Sequence, residues 1–353
     1  LIARALKYSF ANAKTRALKS KTLSPGDWQA LLTGASLEDI LRVLRGTPYR
    51  EVLSRLPAGR PQADQITLAL YDELFIDYAK LLKAVPHGGA VIIKALLARY
   101  EAENLKTILR GVWGKRPASE TRYLLFHLGR LTAVPTAALL AAANVDDAIP
   151  LLKRSPYYRH LTHALPQFKA RGNLFPLEIA VDSAVFEGLS QAVRSLGRRD
   201  RKGSETLIGE LIDFENISWL ARFRYNYGLT PEEVINYTLP GGKNLSIRDL
   251  GSLARTQDLS SFIESLPKPY SEALRVAKDW PDIQPRFERW FLGRLLRNLR
   301  GDPFQISIQV SFLLLKEIEI RALDGLISFV DFGGLPEQAP DLARLPLWGG
   351  VDV

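Results

Sequence analysis

The chain repeats itself three times, and a sequence that does so is confined to folds whose units resemble one another. Residues 36–53, 144–161 and 246–263 align without gaps and lie roughly one hundred residues apart. Each window opens with a polar cap followed three positions later by an acid: Ser36 and Asp39, Asn144 and Asp147, Ser246 and Asp249. At a helix start the cap oxygen accepts from a free backbone amide, and the acid favours the positive end of the helix dipole. A short helix is predicted after each cap. It breaks at Thr47-Pro48 and at Ser155-Pro156, where proline suits the first turn of the next helix. The third window reads Gln257-Asp258 at the break and lacks the Thr-Pro-Tyr of the first.

A second set of windows recurs with nearly the same period. Tyr100-Glu101-Ala102-Glu103-Asn104-Leu105 matches Ile212-Asp213-Phe214-Glu215-Asn216-Ile217, with a weaker echo in Lys316-Glu317-Ile318-Glu319-Ile320-Arg321. Carboxylates two apart on a helix face different directions, so their repetition indicates architecture rather than an acid–base pair. These windows predict three related helical bundles, 1–118, 119–228 and 229–335, followed by a Pro/Gly-rich tail at 336–353. Residues 57–61, 111–117, 197–203 and 239–243 read as linkers.

The spacing within the repeats is helical. Phe287, Phe291, Leu295 and Leu299 step by four with arginines off the stripe, and Thr230-Pro231-Glu232-Glu233 is a strong helix start. The alternating segment 304–310 runs into an apolar stretch and is read as part of one continuous helix. The predicted fold class is all-α.

Known catalytic signatures fail. The chain has no cysteine, which excludes disulfides, thiol nucleophiles and cysteine-ligated metals. Gly241-Gly242-Lys243-Asn244 lacks the frame of a phosphate loop, and Asp331-Phe332-Gly333 has no kinase companions. His160 and His163 lie on one predicted helix without further ligands nearby in sequence, so they read as surface or structural residues. No catalytic, cofactor-binding or metal residue is assigned. The longest strongly apolar stretch, 131–143, is shorter than the roughly 20 residues of a membrane span, so a soluble protein with peripheral membrane contact is expected.

The net charge of +9 favours acidic partners. Two basic clusters carry part of it. Arg198-Arg199-Asp200-Arg201-Lys202 is read as a loop between Gly197 and Gly203, while Arg289, Arg294, Arg297 and Arg300 share a helix with Trp290 and Phe291. The functional reading is a nucleic-acid or anionic-lipid surface; the plainer one is a solvated helix face.

Several of these segments resemble a known family. Tyr8-Ser9-Phe10-Ala11-Asn12-Ala13-Lys14-Thr15-Arg16-Ala17-Leu18-Lys19-Ser20 is similar to the opening of the C subunit of prokaryotic V/A-type ATPases, and Leu23-Ser24-Pro25-Gly26-Asp27-Trp28 fits the helix start that follows it. Ser36-Leu37-Glu38-Asp39 with Thr47-Pro48-Tyr49 resembles a motif shared with the eukaryotic d subunit, and Glu103-Asn104-Leu105, Glu215-Asn216-Ile217 and residues 316–321 resemble others. The resemblance covers nearly the whole chain.

The resemblance implies three helical bundles arranged pseudo-threefold as a funnel or socket. It implies a non-catalytic rotor component of the central stalk, peripheral on the cytoplasmic face of the membrane and without cofactor. Its partners would be the proteolipid ring and the central D–F shaft, and no nucleic acid. Glu103, Asn104, Glu215, Asn216, Glu319 and Arg321 are expected to pack the bundles around the socket. The alternative is a basic helical nucleic-acid-binding scaffold.

Overall fold

Polar caps set where many of the helices begin. The computed structural model describes residues 2–34, 36–57 and 61–335; the tail 336–353 and the centre of the 57–61 linker lie outside the described residues. Among the described residues every regular element is helical. In chain order the first five are α1 (Ile2–Lys19), α2 (Pro25–Thr33), α3 (Leu37–Arg45), α4 (Arg50–Leu53) and α5 (Ala63–Ala84). Next come α6 (His87–Trp113), α7 (Ala118–Tyr123), α8 (Thr136–Leu140), α9 (Val145–Leu151), α10 (Tyr157–Arg171) and α11 (Phe175–Ser195). Then follow α12 (Arg198–Ala221), which runs into a π-helical turn at Arg222–Asn226, α13 (Pro231–Ile235) and α14 (Ile247–Leu253). The last are α15 (Leu259–Ser265), α16 (Tyr270–Leu274), α17 (Ile283–Leu299) and α18 (Ser307–Asp331).

The predicted caps form. Ser36 and Asn144 accept the amides of Asp39 and Asp147 at 3.2 and 2.9 Å. Ser246 with Asp249 and Thr230 with Glu233 close reciprocal capping boxes, as does Ser24 with Asp27. Each such cap satisfies a donor that the helix itself cannot, a contribution of about 1 kcal/mol. Three local readings change. The linker read at 111–117 begins inside α6, which runs to Trp113. The basic run 198–202 is the first turn of α12 rather than a loop, because Gly197 serves as the N-cap. The alternating segment enters helix only at Ser307, so residues 304–306 stay outside α18.

The chain divides into two compact units, Leu1–Pro86 with Gly197–Val353, and His87–Leu196. In the first unit α18 is the centre, packed by α5, α17, α1 and α12. Its residues from Ser307 to Ile320 are all buried, including Lys316, Glu317 and Glu319. A helix buried on every side has no solvent face for its charges, so those charges must find partners within the protein. The apolar stripe Phe287, Phe291 and Leu295 of α17 supplies part of the surrounding core, and Phe287 stacks on Phe214 of α12 at 4.2 Å. In the second unit α11 packs against both α6 and α10, with Leu96, Leu97, Leu105 and Leu189 buried among them.

Candidate functional site

Three long helices, α6, α12 and α18, each carry a carboxylate that grips the chain just ahead of a short helix distant in sequence. Asp213 of α12 is the fullest example. Its Oδ2 accepts the amides of Lys243 at 3.1 Å and Asn244 at 2.7 Å, and its Oδ1 accepts the amide of Leu245 at 3.3 Å. The Tyr270 hydroxyl donates to Oδ2 at 2.7 Å. Successive backbone amides make a concavity suited to an anion. Here the anion is a side chain of the protein, and the amides of Lys243, Asn244 and Leu245 are already used by it. The tight approach requires Gly242, where an added Cβ would lie 2.0 Å from Asp213 Oδ1.

Glu319 of α18 repeats the arrangement in the same unit. It accepts the amide of Leu23 at 2.9 Å, just ahead of the Ser24 cap, and the Tyr49 hydroxyl at 2.7 Å. Lys316 donates to it at 2.7 Å and lies over the Tyr49 ring. All three side chains are buried. In the second unit Glu101 of α6 accepts the Thr132 hydroxyl and, at 3.2 Å, the amide of Ala133, ahead of α8. Tyr157 there donates to the Ala98 carbonyl at 3.3 Å and sits against the Glu101 carboxylate. The three tyrosines each follow a proline: Pro48-Tyr49, Pro156-Tyr157 and Pro269-Tyr270. Burial, followed by the neighbouring carboxylate, pushes all three hydroxyls well above the ordinary phenol value.

This geometry moves the third repeat. The aligned window at Ser246 begins α14, but the tyrosine that meets Asp213 follows α15, whose cap is Asp258 accepting the Ser261 amide at 2.8 Å. The third copy therefore starts at Asp258, is one residue shorter between cap and tyrosine, and keeps its Pro-Tyr. In the later windows the counterpart of Glu101 and Asp213 is Glu319 rather than Glu317, which instead binds Arg321 at 2.6 Å.

The six expected packing residues separate into different roles. Asn104 and Asn216 are two-way amide clamps. Asn104 donates to the Phe126 carbonyl at 2.9 Å and accepts its amide at 2.8 Å. Asn216 does the same to Leu239 at 2.9 and 2.7 Å. The equivalent place on α18 is Ala322, so the third clamp is missing. Glu319 forms the buried knot just described. Arg321 bridges Glu317 and Glu288, the latter at 3.0 Å. Glu103 is half-exposed and pairs with Lys106 at 2.7 Å, which also reaches Asp182 at 2.8 Å; Glu215 is partly buried. The residues that sequence reasoning passed over are the tyrosines, and the repeated Pro-Tyr was the signal for them. His160 is tied to Glu187 at 2.9 Å, and among the described residues no cluster of three potential metal ligands occurs.

Desolvation pushes the Asp213 carboxyl up to about 6, against the pull of its amide and hydroxyl donors. A folded-state value above the unfolded one means that the native protein binds this proton more tightly. Its contribution to stability is fully present below the unfolded value of about 4 and is lost as the pH rises through about 6. Carbonyl-detected NMR of Asp-labelled protein is expected to show Asp213 titrating near pH 6. A midpoint at the ordinary aspartate value would contradict the dominance of burial.

The family model described as ATP synthase (C/AC39) subunit matches residues 11–329, a span that contains all three knots. The chain belongs to that family. The C/AC39 family comprises the C subunit of V/A-type ATP synthases and its equivalent, the d subunit of V-ATPases. Among C/AC39 relatives, the A-type ATP synthase C subunit of Methanothermobacter thermautotrophicus is 26% identical over 340 residues, covering 94% of this chain and 86% of its own. That of Methanocaldococcus jannaschii is 23% identical, with 91% and 82% covered. That of Pyrococcus horikoshii is 23% identical, with 95% and 90% covered.

Proposed function

We propose that this chain is the non-catalytic central-stalk component of a V/A-type rotary ATPase, which joins the D–F shaft to the membrane proteolipid ring and transmits torque between them. The observation that carries this reading is the family match over 11–329, supported by relatives named as the C subunit of A-type ATP synthases. The complex would use the torque for ion transport or ATP synthesis, with this chain peripheral on the cytoplasmic face of the membrane. Among the described residues no helix is long and apolar enough to cross a membrane, so contact with the ring runs through surface residues.

A torque-transmitting element must resist shear, and the three knots serve that need. Each ties a long helix to a loop and a tyrosine distant in sequence, and the charged acceptor makes those bonds stronger than neutral ones. In this reading the bundles 1–118, 119–228 and 229–335 form the socket. Asn104, Asn216 and Glu319 join one bundle to the next, Arg321 braces α17 against α18 within the third, and Glu103 and Glu215 complete the packing.

Co-purification tests the proposal. Tagged chain is mixed separately with detergent-solubilised proteolipid ring and with the D–F shaft of the same organism, then with both, at physiological salt. Retention of each, and of a ternary complex, is the expected result. Retention of neither, together with salt-sensitive capture of nucleic acid, would replace the proposal with the basic-scaffold reading.

A further inference from the structure

The two basic runs noted in the sequence meet in space. Arg199, Lys202 and Thr206 step along α12, Arg294, Arg297 and Asn298 step along α17, and both rows line one cleft of about 620 Å³. Residues three or four apart share a helix face, so each helix presents a pair of cations to the same space. The volume falls within the range of about 300–1,000 Å³ usual for small-ligand sites.

Two carboxylates, Glu210 and Asp302, lie beside these four cations and leave an excess of positive charge. Arg294 is neutralised by the buried Glu210, which it holds through a forked contact at 2.7 and 3.1 Å. The side chains of Arg199, Lys202 and Arg297 are exposed and have no ion-pair or hydrogen-bond partner among the described residues. Asp200, the acid inside the basic run, is committed elsewhere: it accepts the Tyr8 hydroxyl at 2.7 Å, Lys7 at 3.4 Å and the Ile306 amide at 3.3 Å. Asp302, also in the lining, accepts the Phe304 amide at 3.0 Å.

Arg199 further lies in the first turn of α12, where the dipole disfavours positive charge, and the Gly197 cap supplies no side chain to the free amides. Three like charges gathered at such a place repel one another, and a bound anion would relieve both the repulsion and the dipole conflict. Guanidinium forks match phosphate oxygens in geometry as well as charge.

We propose that this cleft between α12 and α17 binds a phosphate-bearing anion. Arg199, Lys202 and Arg297 are its charge partners, and Thr206 and Gln305 are neutral hydrogen-bonding groups in the same lining. The phosphate comes either from a lipid headgroup or from a soluble phosphate compound. Arg294 positions Glu210 and the cleft wall rather than the ligand.

The test uses the full chain, with inorganic pyrophosphate as the probe in titration calorimetry at physiological salt. One variant is Arg199→Gln with Lys202→Gln and Arg297→Gln. A second, with the same charge change far along the chain, is Arg130→Gln with Lys153→Gln and Arg154→Gln; these three are also exposed. Wild type and the second variant are expected to bind pyrophosphate saturably. The cleft variant is expected to lose about tenfold or more in affinity, with its melting temperature unchanged.

Flotation with phosphatidylcholine vesicles, with and without phosphatidic acid, separates the two sources. Cleft-dependent capture by the acidic vesicles, competed by pyrophosphate, assigns the site to a lipid headgroup. Pyrophosphate binding without vesicle capture assigns it to a soluble anion. Absence of saturable binding in the wild type, or equal losses in the two variants, would overturn the proposal. So would cleft-dependent binding of single-stranded DNA by a chain that ignores pyrophosphate.

Discussion

Gly242→Ala is expected to destabilise the protein by about 3 kcal/mol or more, a large effect for the addition of one methyl group. The added carbon would sit 2.0 Å from Asp213 Oδ1 and 3.0 Å from the Leu245 carbonyl oxygen. Neither neighbour is free to give way. Asp213 is held by three backbone amides and a tyrosine hydroxyl, and the loop is pressed on its other side against Gly209, where a Cβ would meet the Lys243 amide nitrogen at 3.0 Å. Relieving the clash pulls the loop from the carboxylate and leaves a buried charge short of donors. Gly325→Ala, on an exposed turn of α18 where an added Cβ meets nothing within 4 Å, provides the contrast. It is expected to stabilise by about 0.5–1 kcal/mol, because alanine loses less backbone freedom than glycine on entering a helix. Chemical denaturation of both variants checks the pair. Similar small effects from both would show that the loop is not gripped as described.

Glu319→Ala is the second change with a large expected effect, about 3–5 kcal/mol. It removes the acceptor of the Leu23 amide and of the Tyr49 hydroxyl and deprives Lys316 of its closest anion. Lys316 is 2% exposed, so its ammonium gains almost no water in return. Glu73 and Asp77 are near enough to lower its energy, but burial already raises both of their carboxyls toward the neutral form. Replacing both partners, Lys316→Met with Glu319→Leu, is expected to recover a substantial part of the loss, since a buried ion pair contributes little over a well-packed apolar pair of similar volume. The comparison is read from denaturation midpoints. A single variant within about 1 kcal/mol of wild type would mean that the buried knot contributes no more than a surface pair.

Much of this was readable in the sequence because it depends on local chemistry. Ser36, Asn144, Ser246 and Thr230 cap helices because short polar side chains reach amides three residues on, whatever the surrounding fold. The repeated acids at Glu101 and Asp213 and the amides at Asn104 and Asn216 were visible as a pattern, although which of them bound what was not. The targets lie 22 to 57 residues away, and pattern gives no access to contacts at that range. The third repeat differs from its gapless match for a specific reason. A gapless alignment cannot absorb one lost residue, so it matches the strong Ser246 box instead of the Asp258 cap that leads to Pro269-Tyr270. Charge and flanking glycines suggest a loop at 198–202, whereas the run is the first turn of α12 behind the Gly197 cap, on a helix held farther on by contacts with α17 and α18 that the local sequence does not display.

Torque transmission is the central claim, and coupled ion transport measures it most directly. Vesicles are reconstituted with the ring, the stator, the catalytic head and the D–F shaft, with or without this chain, and ATP hydrolysis and ion uptake are followed together. With the chain present, both are expected. Without it, hydrolysis by the head should continue while ion uptake falls to background, because the shaft turns without driving the ring. Ion uptake that is unchanged when the chain is omitted would contradict the coupling role.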